Sequence, residues 1–166
     1  MTHGHLLRIA RRMFSVILYQ PEIPPNTGNI IRMCANTGAA LHLIEPLGFE
    51  ISAARLRRAG LDYAEMALIR TWPSLAECLA GIAPARWFAV STRGTQRYDR
   101  VSYRAGDMFL FGPESRGLPP EVLESCAPER RLRIPMYPDN RSLNLSNAAA
   151  VLVFEAWRQQ GFAGGQ

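Results

Sequence analysis

IPMYPDNRSLNLSNAAAVLVFEAW, residues 134–157, joins the end of a strand-like RLRIP to an apolar helix under way by Ala148. Between the two stand Asp139, Asn140, Arg141, Ser142, Asn144, Ser146 and Asn147. A strand-to-helix turn needs about one capping side chain, because only the first few helical N–H groups lack partners. If buried, the surplus polar groups need other partners, either a ligand or a further segment of chain. The helix itself is apolar on two sides. Leu145, Ala148, Ala149, Leu152 and Ala156 form one stripe at helical spacing, and Val151, Phe154 and Trp157 form a second. One stripe suits the protein's own core and the other suits a partner.

Upstream, short apolar runs bounded by Gly, Pro or polar clusters predict strands at residues 14–19, 41–44, 66–69, 87–91, 108–111 and 132–134. Helical patterns fall between most of them. Ile30, Met33 and Cys34 share a face, and Gly38 is placed to end that helix. Ser74–Glu77 reads as a capping box, and Pro119-Pro120 as the first turn of another helix. Alternation of strand and helix implies a mostly parallel α/β sheet flanked by helices, with ligands at the carboxyl ends of its strands.

Three connections carry more polar side chains than a turn requires. Pro21–Gly38 follows the first strand, and Asn26, Thr27 or Gly28 is expected to cap its helix. Arg32 lies one turn further on, off the apolar face. A helix N-terminus with an arginine nearby is an anion site. Phe109–Glu121 contains Gly112-Pro113-Glu114-Ser115-Arg116-Gly117, where Gly112 would allow close approach of a ligand to the backbone. The third connection is the 134–147 segment. Neither a GxGxxG nor a GxxxxGK[ST] pattern occurs, so dinucleotide and P-loop chemistry lose their main support.

Composition narrows the class further. The 166 residues suit one domain, with residues 1–12 expected to form a disordered extension, 13–161 the folded unit and 162–166 a flexible tail. Net charge is +5, and every basic side chain other than histidine is arginine, which grips phosphate bidentately. Arg55, Arg57 and Arg58 form a dense positive cluster, while Arg93, Arg116 and Arg141 flank the furnished loops. Cys34, Cys78 and Cys126 have no CxxC spacing, so they read as buried thiols in a reducing cytoplasm. His42, in LHLIEP, is expected to point outward from its strand. No metal-ligand spacing and no run long enough to span a membrane occurs.

LYQPEIPPNTGNIIRMCANTG, RLRRAGLDY, FGPESRGLP and IPMYPDNRSLNLSNA, in this order and spacing, resemble the SPOUT superfamily of RNA methyltransferases. The likeness is to its 2′-O-ribose-methylating branch, above all the bacterial enzymes acting on the wobble cytidine or uridine of tRNA. It runs from about Met13 to about Gly161; the extension before Met13 lies outside it.

The resemblance implies a deep C-terminal trefoil knot, an S-adenosylmethionine cofactor, and a homodimer whose active sites are shared across the interface. Carried over by position, it implies cofactor contacts at Val90, Gly112, Ile134 and Ser142, and catalytic places at Arg32, Asn26 and Asn144, with Glu114 shaping the reaction centre. The implied substrate is a tRNA anticodon stem-loop, gripped by Arg55, Arg57, Arg58, Arg116 and Arg141.

The implied reaction is displacement of the sulfonium methyl by a ribose 2′-oxygen, with no metal. None of the three loops holds His or Lys, and arginine stays protonated in water, so Arg32 has two readings: proton relay or electrostatic anchor for the alkoxide. Action on rRNA or another tRNA position, and a non-catalytic RNA-binding dimer, stay open as alternatives.

Overall fold

The last stretch of β-structure pairs with strands from the middle of the chain, and this arrangement organises the fold. The computed structural model describes residues 13–66 and 68–166; the expected disordered extension at 1–12 lies outside the described residues. In chain order the elements are β1 (Phe14–Tyr19), α1 (Pro24–Thr37), β2 (Ala40–Ile44), α2 (Ala53–Arg58), α3 (Tyr63–Met66), β3 (Ile69–Trp72), α4 (Leu75–Ile82), β4 (Trp87–Val90), β5 (Gln96–Arg97), β6 (Asp107–Phe111), α5 (Pro120–Ser125), β7 (Arg131–Arg133) and α6 (Leu145–Gln159). The strands form a 7-stranded sheet in the order β3-β2-β1-β6-β4-β7-β5, and every pairing is parallel.

Alternating side chains bury both faces of the sheet, as parallel sheets require. Phe14, Val16 and Leu18 of β1, with Phe109 and Phe111 of β6, meet Ile30, Ile31 and Cys34 of α1 and Leu145, Ala149, Leu152, Val153 and Ala156 of α6. On the other face Ile17, Met108 and Leu110 meet Cys78 of α4 and Leu123 of α5. The first apolar stripe of α6 is thus core, whereas in the second Phe154 is 43% exposed. Phe154 stacks edge-on against Trp157, which does the same with Phe162.

β7 enters between β4 and β5, which are joined only by residues 91–95. Val90 and Gln96 both pair with Leu132, so the short link crosses β7 on one face of the sheet. The approach there is close. Ser91 N–H donates to the Leu132 carbonyl at 3.0 Å, and a Cβ on Gly94 would lie 2.2 Å from that same oxygen. Only glycine fits beneath the crossing.

Several expectations need correction. The strand expected at 66–69 begins at Ile69, because a reciprocal capping box turns Tyr63–Met66 into helix: Glu65 N–H donates to Asp62 Oδ1 and Asp62 N–H to Glu65 Oε2. β5 and α2 were not anticipated; Ser52 Oγ caps the latter by accepting from Arg55 N–H. Residues 162–166, expected as a flexible tail, turn back on α6, where Trp157 Nε1 donates to the Ala163 carbonyl. The capping box at Ser74 and the left-handed Gly38 (φ 73°) are as anticipated.

His42 does not point outward. It is fully buried against the second core and accepts from Trp72 Nε1 at 3.1 Å. Alternation in its strand is misleading because β2 is an inner strand with helices over both faces. Its Nε2 has no partner, and burial first, then the Arg70 charge, lowers its pKa from 6.5 to about 4. Protonation would also set an N–H at Nδ1 against the tryptophan N–H. Since the folded state holds the neutral form, the His42 contribution is complete above pH about 6.5. It is lost as pH falls toward about 4, by as much as roughly 3 kcal/mol. Urea melts of wild type and His42→Gln across that range should show the wild type losing more stability than the variant, which keeps an acceptor for Trp72 but does not titrate.

Candidate functional site

The chain order places a switch point between β1 and β6. β2 and β3 lie to one side of β1, and the later strands lie to the other. Loops leaving the carboxyl ends of such strands diverge and leave a crevice. Here a cavity of about 510 Å³ opens beyond the ends of β4, β6 and β7. Its lining includes Val90, Gly112, Ile134 and Ser142, together with Asn26, Glu114 and Asn144. Its size is that of a small-molecule site.

One wall is built from a directional chain of hydrogen bonds. α1 begins after Ile23, which has no capping side chain, and Pro24 and Pro25 occupy its first turn. None of Asn26, Thr27 and Gly28 caps it, contrary to expectation, because all three already lie within the helix. Glu114, from the loop after β6, instead holds the backbone just ahead of the helix. Its carboxylate accepts from Glu22 N–H at 2.7 Å and Ile23 N–H at 3.0 Å. Negative charge at that end also suits the helix dipole.

Glu114 Oε1 also accepts from Asn26 Nδ2 at 3.4 Å. A carboxylate can only accept, so the Asn26 amide must turn its nitrogen toward Glu114 and its oxygen away. That oxygen accepts from Asn144 Nδ2 at 3.0 Å. Asn144 Oδ1 is then left to face α6, where it accepts from Ser146 N–H at 2.9 Å and Asn147 N–H at 3.4 Å. One carboxylate therefore sets the orientation of two amides and joins the first turns of α1 and α6.

Further links pin the same loops together. Ser115 Oγ donates to Glu22, and Arg116 Nη2 to Gln20 Oε1 at 2.8 Å. The reason for Gly112 differs from the one expected. A Cβ there would sit 2.2 Å from Leu118 N, so the glycine admits the loop's own backbone.

The polar surplus of the 134–147 segment is also resolved. Residues 135–144 are exposed, so most of these groups need no buried partner. Asp139 adopts a left-handed conformation (φ 61°), and Asn140 Nδ2 closes the turn on the Tyr137 and Pro138 carbonyls. Asn144 caps, Ser146 Oγ donates back to it, and Arg141 and Ser142 line the cavity.

The structure thus gathers Val90, Gly112, Ile134 and Ser142, the four positions expected to contact a cofactor, with Asn26, Asn144, Glu114, Arg93, Arg116 and Arg141 around one cavity. Arg32 is not among its lining. Six residues beyond Asn26, it lies about 9 Å further along α1 and about 120° around it. Its Nη2 donates to the Gly60 carbonyl at 2.8 Å and its Nε to Glu65 Oε1 at 3.3 Å. Arg55, Arg57 and Arg58, on the neighbouring α2, are exposed, with Arg55 paired to Glu50 at 3.2 Å. Sequence reasoning missed Gly60, Asp62 and Glu65, although the D-x-x-E spacing in LDYAE was a usable signal. Among the described residues, no three His, Cys, Asp or Glu side chains group to hold a metal.

A parallel α/β sheet with a cofactor-sized crevice at its switch point defines a class of ligand-binding α/β enzymes. Within it, this chain belongs to the SpoU rRNA Methylase family, whose model matches residues 13–154. A tRNA (cytidine(34)-2′-O)-methyltransferase from Aeromonas hydrophila is 60% identical, the match covering 92% of this chain and 97% of that one. A solved structure concerned with 2′-OH methylation of C/U34 on tRNA is 46% identical, with a TM-score of 0.81 and coverage of 92% and 99%. An AdoMet-bound rRNA methyltransferase from Sinorhizobium meliloti is 25% identical, with a TM-score of 0.72 and coverage of 87% and 56%.

Removing the Glu114 carboxylate strands the Glu22 and Ile23 N–H groups and releases both amides. Glu114→Ala should cost about 2 kcal/mol of unfolding free energy, and Asn144→Ala about 1 kcal/mol. Because both belong to one chain of bonds, the double variant should lose less than the sum, which denaturant midpoints will measure.

Proposed function

We propose that this protein is an S-adenosylmethionine-dependent methyltransferase that modifies the ribose 2′-oxygen of the wobble nucleotide, cytidine or modified uridine, in the tRNA anticodon stem-loop. The observation that carries this reading is the Glu114–Asn26–Asn144 wall standing over a cavity lined by Val90, Gly112, Ile134 and Ser142. The chain's similarity to relatives whose names specify C34 or C/U34 of tRNA supports the substrate.

The residues present fit that cofactor. Val90, Ile134 and Leu143 offer apolar surface to an adenosine, Ser142 and the main chain of the cavity-lining loops offer hydrogen-bonding groups, and Glu114 brings negative charge toward a cationic sulfonium. Bound there, S-adenosylmethionine supplies an activated methyl group. The chain's own part is to orient and to stabilise charge. Ordered loops hold the two reactants in line, which can be worth roughly 7–11 kcal/mol. Arg32 meets the 2′-oxygen and offsets the negative charge that develops there as the proton passes to water.

Arg32 lies outside its own chain's cavity, and α6 exposes Phe154 beside the half-buried Trp157. Both features support a homodimer in which a second copy's Arg32 completes each site. The passage of β7 beneath residues 91–95 supports a trefoil knot in the C-terminal part. Arg55, Arg57, Arg58, Arg116 and Arg141 grip RNA phosphates, and the site of action is the cytoplasm.

Arg32→Ala should lower turnover by roughly 100-fold or more while S-adenosylmethionine binding, read by calorimetry, stays near wild type. Near-normal turnover would sink the assignment of Arg32. Mass-spectrometric mapping of tRNA from cells with and without the gene tests the position, since an unchanged wobble ribose overturns it. Replacing Arg55, Arg57 and Arg58 with Ala should flatten the salt dependence of tRNA binding by about one unit of log–log slope for each phosphate no longer neutralised.

A further inference from the structure

We propose that Glu65 is a positioning residue for methyl transfer, holding Arg32 in a single orientation; this rests on the reading of Arg32 as the group that meets the 2′-oxygen. Arg32 is clamped along one edge by two acceptors from one short segment, Glu65 Oε1 at Nε and the Gly60 carbonyl at Nη2. Gly60 holds a left-handed conformation (φ 82°), a turn that glycine adopts without the strain other residues would carry.

The clamp is itself fixed. Glu65 Oε2 accepts from Asp62 N–H at 2.7 Å, and Glu65 N–H donates to Asp62 Oδ1 at 2.8 Å. Each Glu65 oxygen therefore has a separate task, one in the capping box and one on the guanidinium. The Glu65 side chain is 14% exposed and that of Arg32 56%, so the anchor is sheltered while the guanidinium stays open to a ligand.

Stability does not explain this arrangement. An ion pair with one partner largely in solvent adds little to folding, and immobilising an arginine side chain costs conformational entropy. Catalysis does gain from it, because a charge already aimed at the reacting oxygen needs no reorganisation during the reaction. α1 completes the arrangement. Its N-terminal end is held by Glu114, so the helix that carries Arg32 is itself anchored.

The test is Glu65→Gln in the full-length protein, assayed on tRNA substrate. Gln serves a capping box as well as Glu, so the fold is preserved, but its amide cannot both accept from Asp62 and pair with Arg32. The expected result is a kcat lowered roughly tenfold to a hundredfold, with KM for tRNA and the melting temperature close to wild type. The same substitution in an Arg32→Lys background should change kcat less than about twofold, because the clamped guanidinium is already gone. An unchanged kcat in Glu65→Gln, or an equal loss in both backgrounds, overturns the proposal. Turnover retained by Arg32→Ala overturns the role of Arg32 instead, and wild-type protein inactive on tRNA overturns the proposed function.

Discussion

A carboxylate that pins the entry to a helix from another part of the chain is the interaction on which the rest of this structure depends. α1 starts with two prolines, which carry no N–H, and the Asn26 and Thr27 N–H groups bond the Ile23 carbonyl, so the donors in need of an acceptor are those of Glu22 and Ile23 just ahead of the helix. Glu114 reaches them from the loop after β6. Because a carboxylate can only accept, each subsequent bond inherits its direction: Asn26 must donate to it, Asn144 to Asn26, and α6 to Asn144. The two helices that cover one face of the sheet are thereby held in register at the edge where the cavity opens. An acid-for-amide exchange at position 114 would remove that directionality as well as a charge.

The second constraint is steric. β7 occupies a slot whose two sides, β4 and β5, are joined by the short link across it, and the backbones touch at Gly94 and Leu132. Gly112 meets a similar limit from the backbone of its own loop. Both glycines are needed because backbone meets backbone, which makes the cavity's floor a matter of main-chain packing more than of side-chain choice.

What the sequence disclosed follows the range of the interactions involved. β1, β4, β6 and α4 were readable because their apolar runs and the Ser74 cap are local. Interactions between distant residues were not. Nothing near Pro24 indicates that Glu114 will pin the entry to α1, and nothing near His42 indicates a tryptophan partner on the next strand. The Asp62–Glu65 box is local but is masked by the apolar run that follows it. For the candidate site, motif order singled out Val90, Gly112, Ile134 and Ser142, which do surround one cavity. It did not disclose that Arg32 is held apart from that cavity by Gly60 and Glu65.

The slot filled by β7 bears on how the protein emerges from the ribosome. Synthesis delivers β4 and β5 well before the strand that separates them, and the Asn144 end of the wall comes later still. Until then the nascent chain holds an unfilled gap in its sheet and lacks half the cavity. A product truncated before residue 131 would therefore expose two unsatisfied strand edges to other chains instead of one incomplete enzyme. Translation through β7 thus closes the sheet as well as the site.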